Sequence, residues 1–195
     1  HFKQYFEVFL FAFINYYENL PENWALCTLN DLGYYKKGPF GSSLTKSMFV
    51  SPQIPNAVKV YEQKNAIYKD CSLGVYYISY DKYLEMKSFE VFPNEFIVSC
   101  AGTIGEIYQL PENAPRGIIN QALMKITLYN NDISEIFKIL LDNALHILSK
   151  ESKGTAIKNI PPFDILKKHI IMIPPLKEQS LIINKINYLK NLLCD

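Results

Sequence analysis

Between Trp24 and Leu128 the apolar residues arrive in short bursts, and this most constrains the fold. The runs "WALCTL", "AVKVYEQ", "GVYYIS", "EFIVSC", "IGEIYQL" and "ALMKITL" are each strand-length, and clusters of Gly, Pro and Asn separate them. Runs of this length with such boundaries predict β-strands joined by turns, leaving little room for long helices. One short helix, around Asp81 to Ser88, interrupts the series. The flanks read differently. Phe2, Phe6, Phe9, Phe13 and Tyr17 recur at helical spacing, which predicts a helix over residues 2 to 18 ended by Leu20-Pro21-Glu22-Asn23.

After the β-rich stretch, Asp132-Ile-Ser-Glu135 has the spacing of a capping box. Ile133, Phe137, Leu140, Ala144, Leu145 and Leu148 carry the helix on to about Ser149. "SKGTAIKNIPP" reads as a loop, "FDILKK" as a turn of helix and "HIIMI" as a strand ending at Pro174-Pro175. From Leu176 to Leu193, Ile182, Ile186, Leu189 and Leu193 fall at a/d spacing, an apolar seam. The expected fold is α+β: a mixed or antiparallel β-rich domain over residues 21–175, with an N-terminal helix over 1–20 and a long helix over 176–195.

Charge is uneven along the chain. The net charge is +1, yet Gly33 to Lys69 carries six lysines against Glu62, and His146 to Lys190 carries eight lysines against three acids. Between them, Asp70 to Glu135 holds nine acids against four basic residues. Two basic stretches are then available to converge on one face, or to remain ordinary solvated surface; charge alone leaves both open. Cys27, Cys71, Cys100 and Cys194 are scattered, without a Cys-x-x-Cys and without a neighbouring His. That spacing argues against a zinc site and a disulfide framework, and makes a reducing cytoplasm the expected compartment. The run "YFEVFLFAFINYY" is short for a membrane span and holds Glu7, and no small-residue cleavage site follows it, so neither a membrane anchor nor a signal peptide is expected. The chain opens with His1, as expected of a fragment or an incomplete start.

Catalytic readings find little support. Ser99-Cys100 would need a base, and the histidines are His1, His146 in the apolar helix and His169 at the head of an apolar strand. Gly102-Thr-Ile-Gly105 lacks the Lys-Ser/Thr of a phosphate-binding loop and the third glycine of a dinucleotide fingerprint. "NIPPF" (159–163) approaches the Asn-Pro-Pro-Phe of adenine methyltransferases, but Ile160 breaks the motif. No glycine-rich loop for S-adenosylmethionine accompanies it. No pair of histidines or carboxylates has metal-ligand spacing.

Binding features are more coherent. "YYKKGPFGSSLTKS" (34–47) reads as a long loop offering Lys36, Lys37, Ser42, Ser43 and Lys46, groups that hold phosphates. "YEQKN" (61–65) adds Gln63, Lys64 and Asn65; side-chain amides pair bidentately with adenine in the major groove. "SKGTAIKN" supplies Lys153, Thr155 and Lys158 in a third loop. Thr103 sits at the tip of the turn that Gly102 and Gly105 allow between "EFIVSC" and "IGEIYQL", a mainly architectural turn beside these loops, with Thr103 itself a candidate base or phosphate contact.

Taken in order, "LPENWALCTLNDLG", "KKGPFGSSL", "VYEQKNAIY", "YYIS", "FPNEFIVSCAGTIG", "GIINQALMKITL", "KGTAIKNI" and "IPPLKEQSLIINKI" resemble the specificity subunits of Type I restriction–modification enzymes. The resemblance runs from about Leu20 to the C-terminus, and the closing Pro-Pro-Leu-x-Glu-Gln before a helix is its most specific element. It implies a subunit without catalytic activity. Each of its target recognition domains reads one half of a split sequence in double-stranded DNA, and long helices join the domains as a coiled-coil spacer.

Those helices, here carrying Ile182, Ile186, Leu189 and Leu193, set the half-site spacing and dock methyltransferase subunits. The restriction and translocase subunits bind in turn. No cofactor is expected on this chain; S-adenosylmethionine, ATP and Mg belong to the partners. A full subunit carries two recognition domains, so the expectation is a fragment or a half-length subunit that forms a homodimer. Three other readings remain: the recognition domain of a fused methyltransferase–endonuclease, a hydrolase using Ser99 or Cys100, and a module whose apolar helices bind only protein.

Overall fold

The structure is a computed structural model and describes residues 21–151 and 162–194. The predicted N-terminal helix and the loop holding Lys153, Thr155 and Lys158 lie outside the described residues.

The elements run β1 (Ala25–Thr28), α1 (Leu29–Leu32), β2 (Gly33–Lys37), β3 (Phe49–Val50), β4 (Val58–Tyr61), α2 (Gln63–Tyr68), β5 (Tyr77–Ile78) and α3 (Tyr80–Glu85). They continue with β6 (Glu90–Val91), β7 (Phe96–Ser99), β8 (Ile107–Gln109), β9 (Gly117–Ile119), β10 (Leu123–Leu128), α4 (Ser134–Glu151), α5 (Phe163–Lys168), β11 (Ile170–Ile173) and α6 (Leu176–Cys194). The α+β class holds. Among the described residues three sheets form: an antiparallel pair β1–β11, a four-stranded sheet in the order β2-β10-β7-β8, and a five-stranded sheet in the order β3-β5-β4-β9-β6. Within the last, β4 and β9 run parallel; the four-stranded sheet is wholly antiparallel.

Strand β7 explains the packing. Its side chains alternate between two buried faces, because successive Cβ atoms point to opposite sides of a sheet. Phe96 and Val98 join Met124 and Ile126 against Phe137, Leu141, Ala144 and Leu145 of α4, with the rings of Phe96 and Phe137 5.5 Å apart. On the other face, Ile97 and Leu123 pack with Tyr61, Ala66, Val91 and Ile119. That second face is polar toward its other end. The buried Lys125 Nζ donates to the Glu90 carbonyl at 2.6 Å and faces Glu95 Oε1 at 3.3 Å, while the Thr127 hydroxyl donates to the same carboxylate. A buried charge without a partner would cost several kcal/mol, roughly, so this set is closed on itself.

Several elements depart from the sequence expectation, among them the two-residue strands Phe49–Val50 and Glu90–Val91. Residues 33–37, expected to open the long loop, form β2, an edge strand paired over its whole length with β10. Tyr35 points inward and its hydroxyl donates to the Leu29 carbonyl at 2.8 Å, while the flanking lysines hid the strand in the polarity pattern. Gln63–Tyr68 and Leu29–Leu32 are short helices, and Gly117–Ile119 is a strand. Helix α4 is not entered through the expected Asp132–Glu135 box; Asn130 Oδ1 accepts from the Asp132 amide at 2.9 Å, before a single 3-10 turn.

Helix α6 carries apolar side chains on two faces. Ile186 is 3% exposed and half-buried Ile182 packs against the main core, and both line an apolar groove with Trp24, Ile136 and Leu140. Leu189 is half-buried, and nothing is described for the Leu193 side chain. Instead Leu181, Tyr188 and Leu192 are exposed, at 70, 56 and 55%. Among the described residues no helix is long and apolar enough to cross a membrane.

Candidate nucleic-acid interface

Topology brings the nominated segments to one end of the central sheet. In the ladders, Met124 lies opposite both Lys37 and Val98, and Leu123 opposite Ser99. The end of β2, the end of β7 and the start of β10 therefore lie side by side. The Asn120 amide donates to the Tyr61 carbonyl at 3.0 Å, which brings in the end of β4 and, behind it, α2. Three stretches far apart in sequence (34–47, 61–65 and 100–106) meet there, with the 120–122 turn between them.

Gly38 shows how closely the loops approach. Its amide donates to the Leu123 carbonyl at 2.8 Å, and a Cβ added there would lie 1.9 Å from the Asn120 carbonyl oxygen. Only glycine permits that contact. Beyond it the chain makes two 3-10 turns, Gly41–Ser43 and Lys46–Met48. The Ser43 amide donates to the Phe40 carbonyl at 2.9 Å, and buried Leu44 anchors the segment. Backbone bonds hold this loop, so its side chains stay outside. Ser42, Ser43, Lys46 and Lys37 are exposed, and Lys36 places its ammonium 4.5 Å from the centre of the Phe89 ring. Lys37, Phe40, Ser43, Phe89 and Gln121 line a cleft of about 520 Å³.

The neighbouring segment behaves oppositely. Asn65 is 0% exposed. Its Oδ1 accepts from the Glu62 amide at 2.8 Å, and its Nδ2 donates to the carbonyls of Asp70 and Leu73 at 2.8 and 2.7 Å. The expectation that Asn65 contacts DNA is corrected: its amide holds α2 and the following loop together. Gln63 donates through Nε2 to the carbonyls of Ala101 and Thr103, pinning the glycine turn. Lys64 pairs with Glu62 at 3.1 Å. Thr103 is exposed at the tip of that turn, where Gly102 and Gly105 take φ of +63° and +83°.

Ser99 and Cys100 carry no nucleophile. The Ser99 hydroxyl is fully buried, donates to the Thr103 carbonyl at 2.6 Å and accepts from the Glu106 amide at 2.9 Å. Burial pushes the Cys100 thiol up to about 12, with nearby Lys37 opposing slightly, so the thiolate that would attack is not formed near neutral pH. Among the described residues no group of three or more His, Cys, Asp or Glu is placed to hold a metal.

Gln121 and the exposed Phe40 are the features that sequence reasoning undervalued. The signal available was the Asn120-Gln121 pair between two apolar runs, a turn whose second side chain faces outward.

A family model for the Type I restriction modification DNA specificity domain matches residues 21–194. No curated protein matches the sequence. Among solved structures, the HsdS subunit from Thermoanaerobacter tengcongensis shares the fold with a TM-score of 0.61 and 17% identity, covering 91% of this chain and 40% of that one. A chain from a structure describing complex assembly and conformational transition of the type I R-M system gives 0.62 and 17%, covering 91% and 41%. The S subunit of a Type I restriction–modification system from M. genitalium gives 0.52 and 20%, covering 89% and 40%. The chain thus spans about 40% of the length of the solved chains it matches.

Proposed function

The chain belongs to the family of Type I restriction–modification DNA specificity domains, and on that premise we propose that it reads one half of a split DNA sequence for partner enzymes. The family match over residues 21–194 carries this reading. The loop cluster at the end of the central sheet supports it, with Lys36, Lys37 and Lys46 beside Ser42, Ser43 and the cleft. In this reading the lysines and serines grip phosphates, which fix register without carrying sequence information. Exposed Thr103, at the tip of the neighbouring glycine turn, is a further candidate for contact with DNA in this reading.

The second half-site falls to a second recognition domain, in the same polypeptide or in a second copy of this chain. The helical face that serves this pairing and the docking of methyltransferase subunits is Leu181, Lys185, Tyr188 and Leu192. Its a/d spacing matches that of the buried Ile182–Ile186 face, one residue away. Catalysis, S-adenosylmethionine, ATP and Mg belong to those partners and to the restriction subunits they recruit. The complex acts on DNA in the cytoplasm.

The test is reconstitution with the methyltransferase subunits of its own system. The complex is expected to methylate a split sequence and to lose affinity linearly in log–log dependence on salt. Lys37→Ala is expected to reduce that slope by about 0.9 while leaving the preferred sequence unchanged. Methylation without sequence preference, or binding indifferent to salt, overturns the reading.

A further inference from the structure

We infer that Gln121 reads an adenine in the major groove and that Phe40 packs on the methyl group of a neighbouring thymine. This deepens the proposal above and rests on it.

Among the described residues, the amides of Gln63, Asn65 and Asn120 near this end of the sheet are committed, and Gln121 has no such bond. Asn65 and Gln63 are bonded to backbone groups, and Asn120 Oδ1 accepts from the Ala122 amide at 3.0 Å. Gln121, between them, is exposed and borders the cleft. Its backbone is held on both sides: the Leu123 amide donates to the Asn120 carbonyl at 3.2 Å, and the Cys100 amide to the Ala122 carbonyl at 2.8 Å. A glutamine on so fixed a turn gives up little more than its own rotamers on binding. Its paired acceptor and donor match N6 and N7 of adenine, a pattern that distinguishes A·T in the major groove.

Phe40 has the complementary chemistry. It is 85% exposed, between Pro39 and Gly41, in a segment whose own core contact is made by Leu44. Scattered exposed aromatics are ordinary. This one shares a cleft with the uncommitted amide and with Lys37, which stands ready for the adjacent phosphate. An aromatic ring against a thymine methyl is among the apolar contacts that read a base edge.

The experiment starts from the target mapped with the wild-type methyltransferase complex. Duplexes carry 7-deazaadenine at one adenine at a time, which deletes the N7 acceptor, or uracil at one thymine at a time, which deletes the methyl. One 7-deazaadenine position within this domain's half-site is expected to weaken wild-type binding roughly tenfold or more, the scale of one bidentate contact. The same analogue should leave Gln121→Ala, already weakened, unchanged. A uracil beside it should weaken the wild type and not Phe40→Ala.

If the target is specific but no 7-deazaadenine position depends on Gln121, the inference is overturned while the DNA-reading proposal stands. If no specific target can be mapped, the proposal itself has failed. Both side chains are exposed, so both variants are expected to melt with the wild type.

Discussion

The Gly38–Ser47 loop and the first turn of α2 carry the same kinds of residue, and the fold uses them in opposite ways. In the loop, backbone bonds between Phe40 and Ser43 and between Gly41 and Leu44 hold the shape, so the side chains remain available to a partner. In α2 the side chains do the holding. Asn65 joins three backbone groups and Gln63 clamps the glycine turn 38 residues away. A polar residue reports a binding surface only when the backbone has no need of it, because a buried backbone donor or acceptor left unmade costs more than a new contact returns.

That contrast can be broken most directly at Asn65. Asn65→Ala removes three internal hydrogen bonds and is expected to destabilise the protein by about 3 kcal/mol, measured by urea denaturation. A loss confined to DNA affinity at unchanged stability would mean that Asn65 belongs with the loop after all.

A pH titration probes the inward groups, because burial shifts their protonation away from that of the unfolded chain. Burial raises the Cys100 thiol from 9.0 to about 12 and also raises Tyr35. The native state then keeps protons that the unfolded chain has lost, so stability is full below pH 9 and falls above it. Lys59, depressed from 10.5 by burial, works in the opposite direction as the pH rises. Cys100 alone is expected to cost about 1 kcal/mol by pH 10, and Cys100→Ala should flatten that limb in denaturation measured from pH 7 to 10. An alkaline limb unchanged by the substitution would contradict its burial.

The smallest effect on stability belongs to the loop. Ser43→Ala, at an exposed position, is expected to shift stability by less than about 0.5 kcal/mol while weakening DNA binding in a filter or fluorescence assay. A stability loss as large as that of Asn65→Ala would erase the distinction between the two regions.

Much of the architecture was legible because apolar period and length speak for themselves. β7, β10, α4, α5 and α6 were recovered from them. β2 was missed because two lysines end it, and α2 because a six-residue helix shows less than two turns of pattern. The candidate site was legible in its loop, where lysines, serines and glycines coincide. Gln121 is marked in the sequence only as part of an Asn-Gln turn between two apolar runs, and that its amide stays unbonded is set by neighbours distant in the chain.

By itself, the sequence determined the strand-rich α+β class, the family resemblance later matched over residues 21–194, and the lysine–serine loop. Only the tertiary structure decided which face of α6 is spent inside. Ile182–Ile186 and Leu181–Lys185–Tyr188–Leu192 have the same spacing, and burial against the main core picks the first. It also decided which amides remain free, since that depends on carbonyls distant in the chain. Periodicity is a property of neighbours along the chain, whereas commitment of a polar group is a property of neighbours in space.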